Sequence, residues 1–592
     1  MKRILCTLLA LALLCGLLAG CGGDSVNSAA SGSQSSAVEA TGLPEEQTKQ
    51  QETIQQPQPE SEAQAASSAE QETQTLTDDQ KQLLSLIPEG EALTFQEYPL
   101  TENPDEGLSV FYTMHPLLGQ FYESAADLPI SAAIEEKTGV HIDYNCVSFM
   151  AADTQIQLMM ASGDMNDIMP LAMNYVGGAD AAVDEGLIVD LTEYLPEYAV
   201  NYQGLIDYSS QFKNSVTTAE GRIVGFSIYA LDKSRIYTYG PEVRKDWLDQ
   251  LNMDAPVTID DYHETLLGFK NQLNVETPMW IHYSGINRTT QLTRAFDING
   301  TELLVLDGKV TSSLLQPGMK EYLQTMHTWW QEGLFAQDFF SDTSAEEPEL
   351  AVVANQYGLF YQYATEFPEL KALAEDPNFE ILSITDAVKK EGDRLKVYNG
   401  YGQDAAPAGY FNITTSCEDI ELACKWLDFC YSPDGWLLCN YGIEGTSFEY
   451  AADGTPHWTD VINHPDVPGY VAKSTYTMLQ GAFLMHAARE FDNYTEDMIE
   501  ASDIWASVEA PDGYINLPPY ITLPTEDAQV VTPVKTDIDT YVDECLIKFI
   551  IGDLNFDQDY DTFVDTLHQM NLELVLDAYQ KAYDSFMALQ EA

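Results

Sequence analysis

The stretch from Leu108 to Leu171 constrains the fold most, because its apolar pattern switches repeatedly between the period of a strand and that of a helix. Leu108 to Met114 alternate and end in the loop His115-Pro116-Leu117, which predicts a first strand. A helix follows, with Ile130, Ala133 and Ile134 on its apolar face, Glu135-Glu136-Lys137 on its wet face and Gly139 as C-cap. Val140 to Val147 read as a second strand and Gln155 to Ala161 as a second helix. The turn Ser162-Gly163-Asp164-Met165-Asn166-Asp167 then leads into the apolar strand Ile168-Met169-Pro170-Leu171. Strand, helix, strand, helix, strand implies a parallel sheet with crossover helices, an α/β class. Ligands of such sheets bind beyond the carboxyl ends of the strands.

At 592 residues the chain is too long for one ordinary core, and 45% hydrophobic and 11% aromatic content exclude a mostly disordered one. Acids dominate the charge, 94 against 27 basic residues, for a net of −67. Such a field repels nucleic acid and anionic lipid, so DNA, RNA and polybasic membrane docking are excluded as partners.

The N-terminus gives an address. Lys2 and Arg3 precede an apolar run from Ile4 to Leu17, shorter than the ~20 residues of a membrane span. Leu18-Ala19-Gly20-Cys21 then reads as a lipobox, so residues 1–20 are expected to be a signal peptide and Cys21 the lipidated N-terminus of a surface lipoprotein. Residues 21–76 carry Ser, Gln, Glu, Ala and Gly, and no aromatic occurs before Phe95. This is expected to be a disordered tether, a coil of ~55 residues reaching on the order of 40 Å. Thr77-Asp78-Asp79-Gln80 predicts a capping box opening a short helix.

Further along, Gly221 to Phe226 reads as a hairpin edge leading into Ile236-Tyr237-Thr238-Tyr239. Pro241 to Leu251 reads as a helix, and Thr258 as the N-cap of another running to about Leu273. Ser416 is expected to cap a helix through Tyr431, and the last 60 or so residues to be helical around Leu567, Leu572, Leu574, Val575 and Tyr579. Six cysteines remain after the lipobox. None stands in a C-x-x-C pair, and the run from Cys417 to Cys439 has gaps too wide for a zinc knuckle; Cys424 and Cys430 read as small buried residues and the set as mostly free thiols.

Several pieces occur in a shared order: the lipobox; Glu135 to Val140; Ala161-Ser162-Gly163-Asp164 with Asp167-Ile168; Arg244-Lys245-Asp246-Trp247-Leu248 followed by Pro256 and Thr258; Ala423 to Gly435; Asn440 to Gly445; and Phe549-Ile550-Ile551-Gly552. With these the chain resembles the extracellular solute-binding proteins of ABC importers, in particular the large lipoprotein branch of the carbohydrate-binding family 1 group. Ser227 stands where that family commonly has Pro, and Tyr560 where Trp is usual. The resemblance implies a two-lobed periplasmic-binding-protein type II fold with a hinge, closing on a solute that is delivered to a membrane permease. The expected division is residues 77–238 for the first part of lobe 1, 239–410 for lobe 2, and 411–592 for the lobe 1 return and C-terminal helices.

A sugar offers hydroxyls and flat C–H faces, so its receptor needs aromatic platforms and short polar groups. Candidates are Tyr237 and Tyr239, the cluster Trp280, His282 and Tyr283, and Trp330, since Trp329 and Trp330 cannot both face one way on a helix. Trp247 and Trp426 sit at apolar helix positions and read as core. Asp164 is either a carboxylate for two sugar hydroxyls or a turn-stabilising residue. Tyr441 and Glu444, between Gly442 and Gly445, are either ligand contacts or parts of a tight connection. Arg222, Arg235, Arg244, Arg288 and Arg294 suit a carboxylate, but in so acidic a chain each is expected to have a partner already.

No nucleophile elbow, His-Glu-x-x-His or phosphate loop occurs, and carboxylate pairs carry little information among 94 acids. Asp553 to Asp561 lacks the glycine and terminal carboxylate of a calcium loop and reads as an acidic helix start. The expectation is a monomeric, lipid-anchored oligosaccharide receptor without metal or cofactor, rather than a surface adhesin without transport or a glycoside hydrolase.

Overall fold

A computed structural model describes residues 76–591 except 104–105, 176, 231–236, 282–291, 342–348, 398–408, 464–466, 468, 480, 487, 493, 509–512 and 519–520. The signal peptide, Cys21, the tether to Thr75, Arg235, His282, Tyr283 and Arg288 lie outside the described residues.

Helix α1 (Asp78–Leu86) opens with the expected capping box, Thr77 accepting from the Gln80 N–H while the Gln80 side chain accepts from Thr77. Then come β1 (Gly107–Met114), α2 (Pro129–Thr138), β2 (His141–Ser148), α3 (Ala152–Ser162) and β3 (Ile168–Met169). Helices α2 and α3 end on Gly139 and Gly163 in the left-handed region, which glycine enters without strain. β1 pairs in parallel with both β2 and β3. Beyond β3 lie α4 (Gly178–Asp184), α5 (Val200–Tyr208), α6 (Ser210–Val216) and β4 (Tyr229–Ala230).

In the second part, β5 (Tyr239–Arg244) leads into α7 (Lys245–Leu251) and α8 (Ile259–Leu273), the latter capped by Thr258 as expected. Pro241 lies inside β5 and does not start a helix. It is tolerated there because β9 joins β5 only from Glu242, leaving the Pro241 carbonyl to accept from Ile384. The hairpin β6 (Leu303–Leu306) and β7 (Lys309–Ser312), α9 (Pro317–Gln331), β8 (Leu359–Tyr363), α10 (Phe367–Leu373) and β9 (Ile381–Ser383) complete it. β8 and β9 flank β5, both antiparallel to it.

The chain returns in β10 (Asn412–Ile413), α11 (Ile420–Phe429), α12 (Pro433–Tyr441), α13 (Gly469–Tyr476) and β11 (Leu484–Met485). Asp419, not Ser416, caps α11, its carboxylate accepting from the Leu422 N–H at 2.9 Å. The last elements are α14 (Glu496–Ala506), α15 (Thr525–Ile551), α16 (Tyr560–Gln569) and α17 (Leu572–Glu591). Asn555 and Asp559 are taken up in turns leading into α16, as an acidic helix start requires.

Two main apolar cores separate the lobes. One joins β1, β2, α2 and α5 to α11, α12 and β11; the other joins β5, α8 and α9 to α15, α16 and α17. Residues 411–592 therefore divide between the two cores. Trp247 and Trp426 are buried, as are Cys424 and Cys430, and the six cysteines are free. Crossing strands β4 and β11 lie side by side in parallel, Leu484 opposite Tyr229. The stretch from Gly221 to Phe226 forms no hairpin strand; it joins the crossing through the bridge of Phe226 to Phe411. Ser227 explains the missing proline: its buried N–H donates to the Tyr202 hydroxyl at 3.1 Å, which a proline has no hydrogen to do.

Candidate functional site

The parallel pairing puts the ends of β1, β2 and β3 on one edge of the lobe 1 sheet. Antiparallel β10 starts at that same edge, Asn412 opposite Met169, immediately after the chain has crossed from lobe 2. The carboxyl edge is therefore the one beside the crossing. Its loops leave large apolar side chains in solvent: Phe121 after β1 is 53% exposed, Phe149 after β2 59%, and Met173 after β3 52%. Scattered singly, such residues are unremarkable, but here they share one edge. His115, at the end of β1, packs its ring 4.4 Å from that of Tyr470. Burial lowers the His115 pKa, and its Nδ1 accepts from the Leu117 N–H at 3.2 Å.

The matching edge in lobe 2 is where β5 begins after the opposite crossing. Tyr239 pairs with Tyr363 across the ladder, their rings 4.8 Å apart, and Tyr361 lies 6.1 Å from Tyr239. A buried network braces these rings: the Tyr361 hydroxyl donates to Asp386 Oδ1 at 2.8 Å, and Arg294 donates to Asp386 Oδ2 at 2.5 Å and to the Val397 carbonyl at 2.9 Å. Burial, first, and the Asp386 charge push the Tyr361 phenol well up, so it stays a neutral donor. Tyr237 is half-buried against the small core of Phe367 and Trp505.

Trp280 is half-buried beside Phe360, its N–H donating to the Leu359 carbonyl at 2.9 Å. Met279 pairs in parallel with Leu359, so this segment runs with β8 toward the Tyr363 edge until the described residues stop at Ile281. Trp329 is buried and Trp330 half-exposed, as helical spacing requires. The Trp330 indole donates to the Gln337 carbonyl at 3.2 Å, which pins it to its own connection.

The other candidates lie apart. Asp164 is exposed in the turn before β3, so it belongs to the amino edge of the sheet, its N–H 3.3 Å from Ser162 Oγ. Tyr441 is only 2% exposed, its hydroxyl 2.9 Å from His486 Nδ1 and its ring against Trp436, Phe448 and Trp458. Glu444 is exposed in the turn that follows. Gly442, at φ 81°, makes that turn possible, since a Cβ there would stand 2.4 Å from the Tyr476 carbonyl. Three of the arginines are occupied: Arg222 by Asp184 and Glu220, Arg244 by Asp246, and Arg294 by Asp386.

The residues that sequence reasoning missed are Phe121, Phe149, Met173 and Tyr363. Their signal was position, each following or ending a strand at the edge next to a crossing. Among the described residues no group of three or more His, Cys, Asp or Glu is placed to hold a metal, and no helix is long and apolar enough to cross a membrane.

Residues 122–435 match the family model for bacterial extracellular solute-binding proteins. The chain belongs to this family. Among solute-binding relatives, the fructooligosaccharide ABC transporter substrate-binding protein FusA of Streptococcus pneumoniae is 22% identical over 480 residues, covering 77% of this chain and 86% of FusA. The polygalacturonan/rhamnogalacturonan-binding protein YtcQ of Bacillus subtilis is 20% identical over 328 residues, 54% of this chain and 64% of YtcQ. Among solved structures, that of the alginate-binding protein AlgQ2 without calcium ion matches with a TM-score of 0.68 at 19% identity, covering 83% of this chain and all 100% of that one. FusA in complex with kestose gives a TM-score of 0.67 at 20% identity, over 82% and 100%. The fold of this solute-binding protein is thus the two-lobed type II architecture, and it works outside the cell.

Proposed function

We propose that the protein is a lipid-anchored, monomeric receptor of an ABC importer that captures an oligosaccharide between its lobes and presents it to the permease. Cys21 would carry the lipid. The observation that carries the ligand class is the chemistry of the two edges beside the crossings: exposed Phe121, Phe149 and Met173 on the lobe 1 edge, and half-buried Tyr239 and Tyr363, braced by buried Tyr361, on the lobe 2 edge. Flat apolar surfaces stack on sugar C–H faces while phenols exchange hydrogen bonds with hydroxyls. The ligands in the names of FusA and YtcQ, fructooligosaccharide and polygalacturonan, support the same class. Contacts from both edges favour the closed population, and the reading needs no catalytic step. Of the candidate contacts, Tyr237, Tyr239 and Trp280 stay with this cleft.

Calorimetry of the mature protein against a panel of neutral and acidic oligosaccharides and peptides tests it. An oligosaccharide that binds the wild type and loses affinity in Phe149→Ala with Tyr239→Ala is the expected outcome. Tight binding of a peptide with no response to any saccharide would overturn the ligand class, and retention of the Cys21→Ala variant on the membrane would overturn the anchor.

A further inference from the structure

A groove of about 870 Å3 opens between α6 and α17, sharing no residue with the two edges just described. Its size falls in the range of small-molecule sites, about 300–1,000 Å3. The walls belong to different cores: α6 sends Phe212 and Val216 into the first, and α17 sends Val575 and Ala578 into the second. Elsewhere in the lining the segment after α6 meets the one before α15, the Ala219 N–H donating to Thr522 Oγ1 at 3.2 Å. Whatever fills the groove therefore bridges the lobes.

Its chemistry runs against the rest of the surface. In a chain with 94 acids and 27 basic residues, a lysine stands on each wall, Lys213 on α6 and Lys581 on α17. Lys213 has no ion-pair partner among the described residues, and the nearest carboxylate to Lys581 is Asp527, at a loose 3.9 Å. The lining also carries the amides of Gln211 and Asn214, which both donate and accept, the Phe586 ring and one carboxylate, Asp527. No arginine lines the groove, so an anion there meets point charges rather than a bidentate fork. The point cations suit an anion, and the amides and aromatic face beside them suit a hydroxyl-rich chain, so together they fit a saccharide bearing carboxylates.

We propose that this groove is a second binding site, for an anionic saccharide carrying carboxylates, and that by bridging α6 and α17 its occupant favours the lobe arrangement in which these walls meet. The saccharide class rests on the proposed function; the site and its charge preference do not. A ligand that binds one arrangement better shifts the balance toward it, so occupancy here couples to capture at the crossing.

The test titrates the mature protein by calorimetry at low salt with tetragalacturonate, a panel of neutral oligosaccharides and inorganic phosphate. Wild type is compared with the Lys213→Ala, Lys581→Ala double variant and with Lys213→Arg, Lys581→Arg. Both lysines are exposed, and thermal melts report whether the variants fold. The proposal expects tetragalacturonate to bind the wild type, to weaken about tenfold or more in the alanine variant and in high salt, and to recover in the arginine variant. Affinity for any neutral oligosaccharide of the panel stays unchanged in the alanine variant. Absence of tetragalacturonate binding, or binding untouched by the alanine variant, overturns the site. Phosphate competing as well as tetragalacturonate overturns the saccharide class. Binding of a neutral oligosaccharide alone overturns only this groove, whereas no response to any saccharide overturns the proposed function as well.

Discussion

The carboxylate of Asp428, in α11, accepts the backbone N–H of Tyr202, in α5, at 2.8 Å. Its other oxygen takes the Asn201 and Gln96 amides, each at 2.8 Å, so a fully buried acid ties three stretches of lobe 1 together. Burial pushes the Asp428 pKa up to about 6 despite these donors. The folded protein thus holds this proton more tightly than the unfolded chain does. The resulting stability is complete below about pH 4 and is lost as pH rises through about 6, on the order of 3 kcal/mol from this group. Denaturant melts from pH 4 to 7 should show this fall in the wild type. Asp428→Asn should lack it and lose about 1–3 kcal/mol at every pH, because one amide face turns donors toward donors.

Glu490 sets the opposite slope. Burial pushes its carboxyl up, but Lys473, 3.0 Å away, and Arg489, 2.9 Å away, outweigh that and hold it at about 2. Its contribution is present above about pH 4.5 and lost as pH falls toward 2. Acid unfolding followed by circular dichroism should begin less steeply in Glu490→Gln, which should also be less stable at pH 7.

Phe149 is exposed and supports no core, so Phe149→Ala should melt within about 2 °C of the wild type. Saccharide affinity should fall by about 1–2 kcal/mol, roughly five- to thirtyfold in Kd by calorimetry.

Tyr361→Phe removes the phenol that donates to Asp386 and leaves that carboxylate to Arg294 alone. A loss of about 1–2 kcal/mol in stability is expected. Saccharide affinity by calorimetry should change little, since Phe keeps the ring on which Tyr239 leans.

Lys270 clamps two carbonyls, those of Glu276 and Gly333, each at 2.8 Å. Gly333 leaves it room, as a Cβ there would come within 2.9 Å of the ammonium. Lys270→Met keeps the stem and removes the charge, and should lower stability by about 1–2 kcal/mol in urea titrations.

The strand and helix order from Leu108 to Met169 was legible because each element carries its own apolar period and glycine stop. So was the division of Trp329 from Trp330, a matter of helical spacing within one element. Pro241 misled, because its place in β5 depends on where β9 joins, more than a hundred residues away. Tyr441 stayed open between a ligand contact and a tight connection, because Trp458 and His486, which enclose it, arrive from later in the chain. Asp164 was read in the turn before β3, where it stands, with a ligand contact and a turn-stabilising role both open. The edge that matters was identifiable only once β10 showed where the chain crosses.

The two cores also interleave along the chain. A molecule emerging N-terminus first has everything its first core needs once Met485 is out, but its second core waits for α17. Until α15 is out, the face of α9 that it covers stays open. The export route must therefore deliver a half-finished molecule that neither aggregates nor folds shut too early, and the abundance of negative charge along the chain keeps such an intermediate in solution.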